Sequence, residues 1–258
     1  KRPTHPFNIE GKKIRKEVLK LKNKLASQRK SPPFNMKDLE NVLKSIKKKK
    51  AHGQEGISRT VFKESIIGTN LKLSLLIMFN KIKESGEVPS FMKKAIVVTI
   101  PKKGSKIKLE NERGIFLVNT VRGILMRLLF NRKYHMFISN MSDSNVGGRR
   151  HKSGINHIWV MNSILQDTLS SVKKPGIVIT KYDYKQMFDG MDSEESCGDM
   201  FEYGVDDDYL NVIFEANKEV AINVKTPTGT SREYSLTNTI MQGDTWAPAQ
   251  ASAQVDSF

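Results

Sequence analysis

Apolar residues along this chain recur with two different periods. Leu39, Val42, Leu43 and Ile46 fall on one face of a helix, and Asn35 stands where its N-cap should be. Leu71, Leu75, Met78, Phe79 and Ile82 predict a second amphipathic helix over 70–85, closed by Gly86. Residues 121–136 and 155–170 also read as helices. Ala95-Ile96-Val97-Val98-Thr99-Ile100 is rich in β-formers and ends at Pro101. Arg113-Gly114-Ile115-Phe116-Leu117 returns, which predicts a hairpin tipped by Lys102-Lys103-Gly104-Ser105-Lys106. Gly176-Ile177-Val178-Ile179-Thr180-Lys181-Tyr182-Asp183 has the pattern of a buried strand that ends in a carboxylate. Residues 209–220 predict a helix. Ala221-Ile222-Asn223-Val224 and Glu233-Tyr234-Ser235-Leu236 predict strands joined at a Pro227/Gly229 turn. Helices and strands mix without regular alternation, so the expected class is α+β.

Charge then divides the chain. Of 43 Lys+Arg and 27 Asp+Glu, residues 1–150 hold 35 basic and 11 acidic side chains, a net of +24. Residues 151–258 hold 8 basic and 16 acidic, a net of −8. A +24 segment needs counter-charge, and nucleic acid leads, because phosphate contacts by Lys and Arg release counterions. A membrane surface comes second. The apolar stretches Leu73–Phe79 and Ile124–Phe130 are interrupted by Ser74 and Arg127 and fall far short of the ~18 residues a span needs. Cys197 is the only cysteine, which excludes an internal disulfide and a Cys-cluster zinc site and suits an intracellular compartment. With no initiator Met and no signal peptide, the chain reads as part of a longer protein.

Candidate chemistry centres on Asp183, followed by Phe188-Asp189. A carboxylate at the end of a buried strand is costly unless it is paired or binds a metal; capping of the next turn is the alternative. The five histidines form no metal-ligand pattern. Trp159 is expected in the core, and Trp246 either packs or lies near substrate. Asp206-Asp207-Asp208 precedes a helical pattern and reads as a helix N-terminus, where acidic groups suit the dipole.

An ordered series of short motifs runs through the chain. It comprises Gly53-Gln54-Glu55-Gly56-Ile57, Val88-Pro89-Ser90-Phe91-Met92-Lys93-Lys94, Ile100-Pro101-Lys102-Lys103-Gly104 and Asn111-Glu112-Arg113-Gly114-Ile115. Gly147-Gly148-Arg149-Arg150, Asp183 with Phe188-Asp189, and Gln242-Gly243-Asp244 before Pro248 complete it. From about Asp38 to the C-terminus this series resembles the reverse transcriptase domain of non-LTR (LINE-type) retrotransposons, with the group II intron enzymes as relatives. The resemblance implies a right-hand polymerase fold: a basic N-terminal extension over 1–34, fingers over 35–170 and a partial palm with motifs A and B over 171–258.

The resemblance also implies roles. Asp183 would be the first catalytic aspartate and a ligand to two Mg²⁺ ions, which activate a 3′-hydroxyl and stabilise the leaving pyrophosphate. The Tyr184 carbonyl would help to hold one ion. Arg113 would grip the incoming dNTP, with Lys102 and Lys103 beside it, since a guanidinium binds phosphate oxygens in a bidentate way. Phe188 would pack under the sugar and exclude a 2′-hydroxyl. Gln242 and Gly243 would form the motif B turn. Arg149, Arg150 and the run Lys47, Lys48, Lys49 and Lys50 would contact nucleic acid. The implied partners are an RNA template, a DNA primer or target, dNTP, and the remaining palm, thumb and possible endonuclease of a polyprotein, with no membrane.

The sequence departs from the family's usual residues at Glu55, Gly114, Gly148, Met187 and Ala247, none of them a metal ligand. The family's second carboxylates, an Asp-Asp hairpin, should follow motif B, but the chain stops at Phe258. The expectation is therefore a catalytically incomplete polymerase segment. The alternatives are a decayed nucleic-acid-binding remnant and, against Phe188, an RNA-dependent RNA polymerase.

Overall fold

The structure, a computed structural model, describes residues 30–47, 51–102, 111–149, 151–171, 176–181, 183 and 187–256. Helix α1 (Met36–Lys44) opens with a reciprocal cap. The Asn35 side chain accepts from Asp38 N, and the Asp38 carboxylate accepts from Asn35 N, both at 3.0 Å. Leu39, Val42 and Leu43 are buried, as the pattern predicts. Helix α2 (Thr69–Ser85) ends at Gly86 in the left-handed region (φ 73°), which closes the last turn without a Cβ penalty. Its buried stripe is Leu75, Phe79, Ile82 and, unexpectedly, Lys83, while Leu71 is exposed.

Strands β1 (Lys94–Pro101) and β2 (Glu112–Val118) form the predicted antiparallel pair, with Val97 opposite Phe116. The tip residues 103–110 lie outside the described segments. Helix α3 (Thr120–Asn140) follows, its first turn capped by the Asn119 side chain accepting from Val121 N and Arg122 N. Helix α4 spans Gly154–Ser170, α5 Met187–Gly190, α6 Ser193–Glu202 and α7 Asp207–Asn217. Strands β3 (Lys218–Thr226), β4 (Gly229–Thr230) and β5 (Tyr234–Asn238) precede the final helix α8 (Ala247–Asp256).

The five strands make one mixed sheet in the order β2-β1-β3-β4, with β5 also on β3. Beside the two antiparallel hairpins, β1 and β3 run parallel, Ile96 opposite Asn223. A parallel neighbour requires a long crossover. Here the crossover contains α3 to α7, so the sheet joins the two units predicted on either side of residue 170. The main core packs α1, α2, α3, α6, α7 and α8 together around Phe79, Leu129, Val212 and Trp246. A second cluster, with Ala95, Val97, Val118, Val220, Ile222 and Met241, lies on the sheet.

The structure corrects three expectations. Residues 176–181 are not a strand: Val178 is 91% exposed, with Ile177 and Ile179 exposed beside it. A strand exists only with a hydrogen-bonding neighbour, and among the described residues none lies alongside. Helix α4 forms, but it buries no side chain, and Trp159 is 71% exposed rather than core. The helix predicted over 209–220 ends at Asn217, because Val220 pairs with Leu236 in the sheet. Among the described residues no helix is long and apolar enough to cross a membrane.

The predicted extension 1–34 is only partly a separate arm. Ser31 and Phe34 are buried, and Asn80 clasps Phe34 through both its amide groups at 2.7 and 3.0 Å. Residues 1–29 lie outside the described segments. Phe79 is fully buried among helices, so Phe79→Ala should lower stability by about 3–5 kcal/mol. Urea unfolding followed by circular dichroism should show the shifted midpoint.

Candidate functional site

The site assembles around the start of α3. Gly53 sits where a Cβ would lie 2.9 Å from Asn119 N, so the loop 53–56 can press against the helix entry. That approach delivers Glu55, whose Oε1 accepts from Thr120 N at 2.8 Å, a carboxylate at the positive end of a helix. The Gln54 amide donates to Asn223 Oδ1 on β3, tying the same loop to the sheet.

In the first turn of α3, Arg122 is 1% exposed. Its Nε and Nη2 donate to Asp244 Oδ2 at 2.9 and 2.6 Å. Its Nη1 donates to the Ala216 carbonyl, and Nη2 also reaches Asn217 Oδ1 at 2.8 Å. Thr245 N donates to the other Asp244 oxygen at 2.5 Å. A buried guanidinium is tolerable only when its donors are used, and this one is held by two segments distant in sequence, 216–217 and Asp244. It fixes the Gln242-Gly243-Asp244 turn in place.

The turn lies against β2. Phe116 N donates to the Gln242 carbonyl at 2.8 Å. Gly243 has φ 121°, and a Cβ there would stand 2.6 Å from Phe116 O. Only glycine permits both that backbone and that approach. Arg113 is exposed three residues before Phe116 on the same strand, opposite Ile100. Lys102 N donates to Asn111 O at 2.6 Å, closing the hairpin next to Arg113. Phe188 is half-buried against a small cluster of Met191, Ile240, Ala247 and Ala251, which brings it to the base of α8. Thus the Arg113 strand and the Gln242-Gly243 turn meet, and Phe188 and that turn both adjoin α8.

Other predicted residues stand apart. Asp183 is exposed. Lys47 is exposed after α1. Lys48, Lys49, Lys50, Lys103, Arg150 and Tyr184 lie outside the described residues. Arg149, expected to face a template, is turned inward with its side chain 8% exposed. Its Nη1 donates to the carbonyls of Ser142 and Asn145 at 2.8 and 3.0 Å, because the carbonyls after α3 need donors. The loop it braces is welded to α8: Ser252 Oγ donates to Gly147 O at 2.8 Å, and Asn145 Nδ2 donates to Ser252 O at 2.9 Å.

Asp206 is the N-cap residue of α7, in keeping with the helix-start expectation. The acidic side chains have cationic partners: Lys133 meets Asp206, and the buried Lys83 lies 3.1 Å from Asp208. Nearby, Arg132 lies 2.6 Å from Asp38 and over the Phe34 ring. Burial lowers the Arg132 pKa, but hydrogen bonds to Tyr209 and Asp38 outweigh it and hold it above the ordinary value. The Tyr209 hydroxyl is itself pushed up by burial, against the pull of Arg132. Burial likewise pushes the Cys197 thiol up to about 12, so it is an inert core group. Trp246 is core, edge-on to Phe130 at 5.1 Å.

The implied Mg²⁺ ligands are Asp183 and the Tyr184 carbonyl, and Tyr184 lies outside the described residues. Asp183 supplies one carboxylate, and among the described residues no group of three His, Cys, Asp or Glu side chains converges. Two hard cations need several shared oxygen ligands.

Sequence reasoning missed Arg122 and Lys83. The signal was present as a charge inside an apolar helical stripe, at Arg122 before Ile124, Leu125, Leu128 and Leu129, and at Lys83 beside Phe79 and Ile82. No protein-family model matches the sequence.

Removal of one partner from the buried pair should be severe. Arg122→Met is expected to cost about 3–5 kcal/mol, by leaving Asp244 buried and unpaired, whereas Arg122→Met with Asp244→Leu should recover much of it. A double-mutant cycle by urea denaturation measures the coupling. Gly243→Ala should cost about 2 kcal/mol or more, since strain and the clash with Phe116 add. The same denaturation assay checks it, and a neutral result would contradict the close packing of the turn.

Proposed function

We propose that the chain is a fingers and partial palm segment of an RNA-directed DNA polymerase of a non-LTR retroelement, which binds an RNA template, a primer and dNTP. The observation that carries this reading is the meeting of β2 with the Gln242-Gly243 turn, where Phe116 N donates to Gln242 O and Gly243 admits no side chain. The resemblance assigns those segments, more than a hundred residues apart, to the dNTP-gripping strand and the motif B turn. Their packing, with Phe188 beside α8, supports a common nucleotide pocket. In it Arg113 would hold the triphosphate, the Gln242-Gly243 backbone would line the base or template, and Phe188 would limit the sugar. The basic front half supports template binding through phosphate.

Binding without catalysis is the second reading, and it is favoured because no group of carboxylates converges with Asp183 among the described residues. Expected results with the full chain follow from both. It should bind primed RNA with an affinity that falls steeply with salt. Arg113→Ala should weaken dNTP binding about tenfold, the loss of one charge-assisted contact. Mg²⁺-dependent primer extension should be absent. Extension that disappears in Asp183→Ala would overturn the catalytic incompleteness, and salt-insensitive RNA binding would overturn the polymerase reading itself.

A further inference from the structure

Between α1 and α3 lies a cavity of about 80 Å³. Three cations line it, Lys47, Arg59 and Arg127, and with them the hydroxyl residues Ser45, Thr120 and Thr245. Among the described residues no acidic side chain takes part in the lining. The residues come from four separate segments: the end of α1, the short 3₁₀ turn Arg59–Phe62, α3, and the residue after Asp244.

Arg59 gives the cavity its chemical direction. Its Nε is fully buried and has no hydrogen-bond partner among the described residues. The guanidinium lies over Gly123 of α3, within 3.7–3.9 Å of where a Cβ would stand, so ordinary contact holds it against the helix. A buried charged donor left unused is costly, and the natural relief is an anionic oxygen. A guanidinium with a second Arg and a Lys around a small cavity suits a tetrahedral oxyanion, which accepts several donors at once. The α3 amide end is not the attraction, because Thr120 N is already used by Glu55. An anion would be held by side chains.

We infer that this cavity is a phosphate-binding site that takes one phosphodiester of a single-stranded nucleic acid. The proposal rests on the polymerase reading only for the owner of the phosphate. The pocket itself rests on Arg59 and Lys47, because the Ser45 and Thr120 hydroxyls already donate to the Val42 and Ile57 carbonyls. Thr245 is the neighbour of Asp244, so a bound phosphate would touch the chain one residue from the turn that Arg122 fixes.

The test uses the full chain. Inorganic phosphate, compared with chloride at matched ionic strength, should raise the melting temperature of the wild type. Arg59→Gln should abolish that rise, and Lys81→Gln, at an exposed position on α2, should keep it. For labelled single-stranded RNA, anisotropy should show about tenfold weaker binding by Arg59→Gln and less than about twofold by Lys81→Gln. The log–log salt slope should flatten by about one in the first variant only. If Arg59→Gln fails to fold by circular dichroism, Lys47→Gln, exposed at the cavity rim, replaces it with the same expectations.

A lost phosphate response with unchanged RNA affinity but weakened nucleotide triphosphate binding would keep the pocket and overturn the phosphodiester as its occupant. A phosphate response equal in all variants would overturn the pocket. Neither result depends on primer extension, so failure of the polymerase reading is separately visible.

Discussion

The pairing of Arg122 with Asp244 organises the region around it. Arg122 is placed by the cap of α3, and α3 in turn is entered through Asn119 and Glu55. Asp244 belongs to a turn that no regular element holds. The ion pair adds to the turn's contact with β2 and to the burial of Met241 on the sheet. Burial of both charges is unfavourable by itself, and a well-packed apolar pair would serve stability as well or better. Its value is positional. A guanidinium that spends its donors on Asp244, Ala216 and Asn217 allows one relative arrangement of α3, the end of α7 and the turn. The glycine at 243 follows from this arrangement, since the fixed turn is pressed on Phe116 with no space for a side chain.

Much of the fold was legible because local signals and tertiary packing agree. The Asn35 cap, the Gly86 stop and the β1–β2 hairpin need only short-range chemistry, and each forms where the pattern puts it. The failures share a cause. Residues 176–181 have strand composition but no neighbour among the described residues, and α4 has a helical pattern but buries none of its side chains. Periodicity reports what a segment could bury, not whether anything is there to bury it against. The overrun of α7 into β3 is a contest of the same kind, decided by the ladder from Val220 to Leu236.

The candidate site was legible to a different degree. Arg113, Phe188 and Gln242-Gly243 were found as separate motifs, and their packing relations could not be read from spacing. Arg149 shows the opposite limit. An Arg in a Gly-rich loop suggests an open contact, yet the chain's own carbonyls after α3 claim it. Composition identifies a donor; only geometry says which acceptor reaches it first. Arg122 escaped notice because a lone charge in an apolar stripe looks like a fault in the pattern until its carboxylate arrives from residue 244.

The charge asymmetry takes on a new meaning at this level. Four acidic groups of the rear half, Asp206, Asp208, Glu215 and Asp244, pair with Lys133, Lys83, Lys93 and Arg122 of the front half. The excess of opposite charge on the two halves therefore works partly as an internal adhesive between segments far apart in sequence. Because these pairs are largely removed from water, salt screens them weakly, whereas phosphate contacts at an open surface are screened strongly. The same composition thus serves two purposes that ionic strength can separate. Four of the rear carboxylates are committed to basic groups of the front half. Arg59, with a buried Nε unpartnered among the described residues, is a front-half cation outside these pairs.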